Sequence, residues 1–245
     1  MLLEILGVIP ARYASSRFPG KPLALIAGRS MLQHVWVRAS RARSLTRLVI
    51  ATDDERIFRE ARRFGAAAQM TRADHPSGTD RAAEVAAGDS AEVIVNIQGD
   101  EPLIDPQAID DAVEGLIEAG TVPMSTLKKR IEEPGELSNP NVVKVVTDLA
   151  GNAIYFSRSA IPFVRAGEAH RYKHVGLYVY RRDFLLGYGG LPVGPLEEAE
   201  KLEQLRALEN GHKIRVVETA YESLGVDTPE DLQRVSALEM NRKDG

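Results

Sequence analysis

Cysteine is absent from this 245-residue chain. That excludes disulfides and thiolate metal sites, and it accords with a cytoplasmic protein. Long apolar runs are missing too. Hydrophobic residues make up 44% of the chain, yet no stretch approaches the ~20 apolar residues a membrane span needs. No membrane insertion is expected. The opening residues, Met1-Leu2-Leu3-Glu4, carry no basic flank and no small-residue cleavage site, so no secretory signal is expected. Acids are nearly missing from one part of the chain. Residues 1–52 hold only Glu4, against Arg12, Arg17, Lys21, Arg29, Arg38, Arg41, Arg43 and Arg47. That segment is +7 and the remainder −11, which gives the whole chain −4. A basic part of an acidic protein points to a local anion site. Its cations are not interleaved with aromatics, so no nucleic-acid partner is expected. Arg38, Arg41 and Arg43 fit a solvated helix face; the cations of the loop after the first strand do not.

What is present is a regular alternation. Residues 2–10 read as a short buried strand ending in proline. Ser30 with Gln33 predicts a capping box for a helix running to about Arg43. Strands at 45–52, 66–70 and 93–97 alternate with helices that begin at Asp53, after a polar loop over 71–80, and at Asp105-Pro106. This predicts a doubly wound α/β sheet with right-handed crossovers. After about Thr121 the strands at 122–131, 142–146, 153–157 and 174–180 follow one another with few helices. Asp148 to Asn152 is a hairpin signal. Residues 121–180 are expected to form an antiparallel flap or dimer surface inside one domain spanning 1–245. A continuous helix is predicted over 196–210, with Leu196, Ala199, Leu202, Leu205 and Leu208 on one stripe and Gly211 as its stop. Residues 214–217 read as a last strand, and Thr228-Pro229-Glu230-Asp231 caps the final helix.

Ligands of open α/β sheets sit beyond the carboxyl ends of the strands. The loop there, residues 9–22, is not a Walker A loop: the glycine spacing is wrong and Pro22 follows the lysine. It does gather Arg12, Arg17, Lys21, Ser15, Ser16 and Gly20. A nucleoside triphosphate carries roughly four negative charges, which such a cluster can hold. Asp100 ends a buried strand and can either close a turn or hold a metal. Asp227 precedes the capping Thr228 and is open to the same two readings. The alternation from Tyr172 to Tyr180 places His174, Gly176, Tyr178 and Tyr180 on one face. That face suits either a sugar or plain half-exposure. His170 and His174 are four apart, but their loop-to-strand setting makes a poor metal site. Gly187-Tyr188-Gly189-Gly190 lacks the preceding strand and third glycine of a dinucleotide loop.

Taken together, IPARYASSRFPGKPL, VIATDDERI, MTRADHPSGTDRAAEV, VIVNIQGDEPLI, NPNVVKVV, YFSRSAIPF, HVGLYVYRRDF, KLEQLRALENG and GVDTPEDL resemble the cytidylyltransferases that activate Kdo (3-deoxy-manno-octulosonate) for lipopolysaccharide synthesis. The resemblance runs over nearly the whole chain. It implies a nucleotide-diphospho-sugar transferase fold, a homodimer, Mg²⁺, and CTP and Kdo as substrates. It implies a triphosphate site at Arg12, Ser15, Arg17 and Lys21, and a cytosine-reading loop at Arg72, Ser77, Gly78 and Thr79. Gln98, Arg158, His174, Tyr178, Glu203 and Gln204 match positions near the acid sugar; Asp100 and Asp227 match metal ligands. With Lys21 and Arg12, these aspartates form the expected catalytic set. The segment 165–171 is shorter than in many relatives. Two alternatives stand beside this reading: a cytidylyltransferase for amino-Kdo or a sialic acid, and a catalytically silent nucleotide-binding relative. A Rossmann dehydrogenase is disfavoured by the missing glycine fingerprint.

Overall fold

The computed structural model describes residues 3–14 and 18–241, so Ser15 and Arg17 lie outside the described residues. In chain order the elements are β1 (Ile5–Ala11), a 3-10 turn (Lys21–Leu23), β2 (Leu25–Ile26), β3 (Arg29–Ser30), α1 (Met31–Ala39), β4 (Arg47–Thr52), α2 (Glu55–Arg63), β5 (Ala68–Met70), α3 (Gly78–Ala87), β6 (Val93–Asn96) and α4 (Pro106–Glu118). There follow β7 (Met124–Arg130), α5 (Pro134–Ser138), β8 (Lys144–Thr147), β9 (Ala153–Ser157), β10 (Tyr172–Arg181), α6 (Arg182–Tyr188), α7 (Pro195–Glu200), α8 (Leu205–Glu209), β11 (Ile214–Glu218) and α9 (Pro229–Asn241). The alternation is the expected α/β one. The chain forms two compact units, residues 1–110 with 222–245, and residues 111–221.

The first unit is built on parallel strands in the order β6-β1-β4-β5. Val8 pairs with Val49 on one side and Asn96 on the other. The burial pattern of β1 and β6 is almost unbroken, as parallel strands covered on both faces require. Helix α3 packs on β1, β4 and β6. A second core of Ile26, Met31, Leu103, Val226 and Val235 joins β2 to α9. In the second unit β7 pairs parallel with β11 and antiparallel with β10. Strand β8 pairs antiparallel with both β10 and β9. The turn from β8 to β9 closes as expected, with Asp148 N–H on the Asn152 carbonyl at 2.8 Å.

Three boundaries and one burial differ from expectation. Helix α1 stops at Ala39 rather than near Arg43, because the Ser40 hydroxyl folds back onto the Val37 carbonyl and competes with the helical backbone. Helix α3 starts earlier than the polar loop suggested, since Ser77 caps it by accepting the Asp80 N–H. Tyr180 is buried despite the alternation in β10, whose pairing with β7 slips between Val175 and Tyr178. The helix predicted over 196–210 is broken in two. Lys201 adopts φ 53° and ends α7, and Leu202 is buried while Leu196 is exposed. The leucine spacing therefore does not mark one continuous face.

Candidate active site

Lys21 owes its position to the turn before it. Gly20 has φ 72° and donates its N–H to the Tyr13 carbonyl at 2.9 Å. A Cβ there would lie 3.0 Å from the Tyr13 ring, so the conformation and the contact both demand glycine. The 3-10 turn then starts, with buried Pro22 inside it. The Lys21 ammonium lies 2.8 Å from Asp100 Oδ2 and 3.2 Å from Asp227 Oδ1, with only 13% of its side chain exposed.

The two aspartates arrive from distant segments. After β6, Ile97 N–H still bonds the Val8 carbonyl, and the chain then turns through Gly99. A Cβ on Gly99 would sit 2.7 Å from the Pro10 carbonyl oxygen, so only glycine lets this turn cross the end of β1. The Val226 N–H donates to the Asp100 carbonyl at 2.9 Å, tying the segment of one aspartate to that of the other. Asp231 accepts the N–H groups of Asp227 and Thr228 and the Thr228 hydroxyl; Thr228 Oγ1 accepts the Asp231 N–H in return. Burial alone would raise the Asp231 carboxyl, but these hydrogen bonds hold it below the usual range. The cap is thus made by Thr228 and Asp231, and the Asp227 carboxylate is directed to Lys21 instead. Two carboxylates meeting at one cation suit a hard divalent ion that takes its remaining ligands from phosphate and water. Among the described residues no cluster of three His, Asp or Glu donors forms.

Around these groups opens a cleft of about 230 Å³. Of the predicted residues it is lined by Arg12, Lys21, Ser77, Gly78, Gln98, Asp100 and Asp227. Arg12 is exposed. Arg72 and Thr79 are not among the lining residues: the Arg72 guanidinium pairs with Asp74 at 3.1 Å, and the Thr79 hydroxyl lies 3.4 Å from Asn96 Nδ2. His75 and Arg81 line the cleft unanticipated. Arg81 is buried, bonds Thr71 Oγ1 and the Arg72 carbonyl, and pairs with Asp53 at 3.2 Å. His75 pairs with Glu84, which also accepts the Arg72 N–H at 3.1 Å. In sequence an arginine beside Asp80 reads as surface charge; only the burial of its helix face could have flagged it.

The second unit carries a partly buried polar chain. His174 Nε2 lies 2.9 Å from Thr126 Oγ1, which also lies within hydrogen-bonding distance of the Val175 and Leu177 carbonyls. Those carbonyls only accept, so they claim the single hydroxyl proton, and Nε2 carries the hydrogen toward Thr126. Burial pushes the His174 pKa down to about 3. The ring lies 5.5 Å from that of Tyr178, whose hydroxyl donates to Gln204 Oε1 at 3.1 Å. Burial, and then the charge of Glu203, push the Tyr178 phenol up. Gln204 is 4% exposed, and its Nε2 has no hydrogen-bond partner among the described residues. Glu203 and Gln204 lie in the turn between α7 and α8, not on a continuous helix, and the Glu203 carbonyl accepts the Tyr188 hydroxyl at 2.7 Å. Arg158 is half-buried; its Nε donates to the Glu200 carbonyl at 2.7 Å and its Nη1 to the Pro140 carbonyl at 2.9 Å. Two of its five N–H donors are thereby used.

Known proteins share this architecture. The cytidylyltransferase family model matches residues 6–214. A 3-deoxy-manno-octulosonate cytidylyltransferase of Solibacter usitatus is 68% identical over 237 residues, covering 96% of this chain and 94% of its own. One from Geobacter sulfurreducens is 57% identical, covering 95% and 98%. The solved structure of a CMP:2-keto-3-deoxy-manno-octonic acid synthetase complexed with CTP superposes with a TM-score of 0.94 at 44% identity, covering 98% of this chain and 99% of that one. The chain belongs to the cytidylyltransferase family, among the 3-deoxy-manno-octulosonate cytidylyltransferases.

Proposed function

We propose that this protein transfers CMP from CTP to Kdo, releasing pyrophosphate and activating the sugar for lipopolysaccharide synthesis. The observation that carries this is the convergence of Lys21, Asp100 and Asp227 in a cleft whose wall includes Arg12, Ser77 and Gly78. The anomeric hydroxyl oxygen of the sugar attacks the α-phosphorus and releases its proton to solvent, the bond from that phosphorus to the bridging oxygen breaks, and pyrophosphate leaves with the electron pair. No covalent enzyme intermediate is required, so the protein's task is to position two anions and offset their repulsion. Arg12 and Lys21 bind the triphosphate, with Arg17 and Ser15 of the same loop. Ser77 and Gly78, at the start of α3, offer a hydroxyl and backbone N–H groups to the cytosine, with Thr79 and Arg72 beside them. Asp100 and Asp227 would hold Mg²⁺. Bound there, the ion supplies positive charge to the phosphate oxygens.

On the sugar side we assign Arg158 and Gln98 to the carboxylate, and His174, Tyr178, Glu203 and Gln204 to the hydroxyls. The unpartnered Gln204 Nε2 and the neutral His174 ring support this, because a buried donor lacking a partner rejects a ligand that cannot satisfy it. Residues 1–245 act as one nucleotidyltransferase domain, with 121–180 as flap and dimer region. Exposed Leu149, Ile154 and Phe163 support a homodimer, which light scattering at micromolar concentration tests. No helix among the described residues is long and apolar enough to cross a membrane, and we place the enzyme in the cytoplasm. The test is pyrophosphate release with CTP and a sugar panel. Release with Kdo, abolished by excess chelator, is expected. Preference for a sialic acid or amino-Kdo would move the substrate, and full activity in chelator would remove the metal from the account.

A further inference from the structure

Lys144, the first residue of β8, is 0% exposed. Its ammonium donates to three carbonyls: Asn139 at 3.0 Å, Val142 at 2.6 Å and Arg158 at 2.6 Å. Lysine has three N–H donors and no acceptor, so the set is complete, and every partner is a neutral main-chain oxygen. A buried cation is costly unless fully hydrogen-bonded, and burial lowers the Lys144 pKa from its usual value. An apolar residue would fill a strand position at lower cost, so the ammonium needs a reason beyond packing.

The reason lies in which carbonyls it gathers. They belong to two segments, residues 139–142 and the end of β9 at Ser157-Arg158. The Arg158 guanidinium docks on the first of these through the Pro140 carbonyl. Its own N–H and Nε are held by Glu200, through Oε2 at 2.9 Å and the main-chain carbonyl at 2.7 Å. Segment 139–142 therefore touches Lys144 on either side of Pro140, and Pro140 touches the guanidinium. We propose that Lys144 is a positioning residue for sugar recognition: by fixing segment 139–142 and the Arg158 main chain to each other, it sets the direction of the guanidinium that receives the sugar carboxylate. This rests on the assignment of Arg158 to that carboxylate.

The test compares Lys144→Met, Lys144→Gln, Arg158→Ala and the Lys144→Met/Arg158→Ala double variant by steady-state kinetics with Kdo, and by calorimetry with CTP. Because misplacement by about 1 Å can cost about 100-fold, kcat/KM for Kdo is expected to fall at least about tenfold in the Lys144 variants. CTP Kd should stay within about twofold, and the double variant should be no worse than Arg158→Ala alone. Equal losses toward both substrates, or losses that multiply in the double variant, overturn the proposal and leave Lys144 a general stabiliser. If Arg158→Ala spares Kdo use, the assignment of Arg158 fails first; if it is selective and the Lys144 variants are not, only the present proposal fails. Should the Lys144 variants not fold, ¹⁵N NMR of the wild-type lysine ammonium groups decides. A slowly exchanging Lys144 signal that shifts with Kdo and not with CTP supports the proposal, and one unmoved by saturating Kdo contradicts it.

Discussion

The two units present their polar groups in different ways. In the first, full charges stand on loops beyond the strand ends: Arg12 at the cleft rim, and Lys21 between Asp100 and Asp227. In the second, beside the charged Arg158 and Glu203, stand neutral or hydrogen-bonded groups. His174 is held unprotonated, Tyr178 is bonded to Gln204, and Lys144 is matched to three carbonyls. Under the proposed assignment, a flexible, highly charged triphosphate would be captured by countercharge, whereas a polyhydroxy acid would be distinguished by fixed donors and acceptors.

The comparison predicts effects of decreasing size. Asp100→Asn and Asp227→Asn should each lower turnover by at least about 100-fold with the fold intact, since loss of a metal ligand removes charge stabilisation at the reacting phosphate. Turnover and circular dichroism at saturating Mg²⁺ check this; near-normal rates would return that aspartate to the role of turn residue. Next, Lys21→Ala and Arg12→Ala should raise the KM for CTP by about tenfold or more; exposed Arg12→Ala should barely move Tm, whereas Lys21→Ala also leaves Asp100 and Asp227 without their shared cation. Arg158→Ala should show the opposite selectivity, with kcat/KM for Kdo reduced and CTP binding unchanged. Equal effects of Arg158→Ala on both ligands would erase the division between the units.

The charged half of this division was legible in the sequence and the neutral half much less so. Lys21 and Arg12 stand beyond a strand end in a segment nearly devoid of acids, and Asp100 follows the buried strand β6. Asp227 stood open between turn residue and metal ligand, since Thr228 and Asp231 account for the cap without saying what its carboxylate does. The strands and the α/β alternation followed from apolar periodicity. By contrast, Arg81 is buried through Thr71 and Asp53, and the break at Lys201 depends on a single positive φ. Lys144 gained its meaning only from carbonyls 14 residues away and nearer. Such features depend on what a fold brings together, which local spacing does not record. The glycines are intermediate: Gly99 invites a turn in any reading, but its closeness to Pro10 is tertiary. Gly99→Ala should cost about 1–3 kcal/mol of overpacking and shift Asp100, which melting curves and Mg²⁺ titration would register. An unchanged Tm and an unchanged metal response would show that the turn has slack.

A further expected effect concerns pH. The folded His174 pKa is about 3 against a reference of 6.5. A lowered histidine pKa means that the unfolded chain takes up a proton the folded one refuses. The contribution is therefore fully present above pH 6.5 and is lost as pH falls from 6.5 toward 3. Carboxylates such as Asp89, held low by Arg47 against their burial, lose stability in acid as well, so the histidine must be isolated by difference. The stability advantage of wild type over His174→Asn should shrink across that window in denaturant titrations. A constant difference would show that the ring is not sequestered.

The most direct measurement follows the phosphorus itself. The protein is mixed with CTP, Mg²⁺ and Kdo and monitored by ³¹P NMR, with each component omitted in turn. The account predicts that the triphosphate signals give way to one phosphodiester and one pyrophosphate in equal amounts, only in the complete mixture. Binding of CTP without any phosphodiester, or pyrophosphate formed without Kdo, would contradict it.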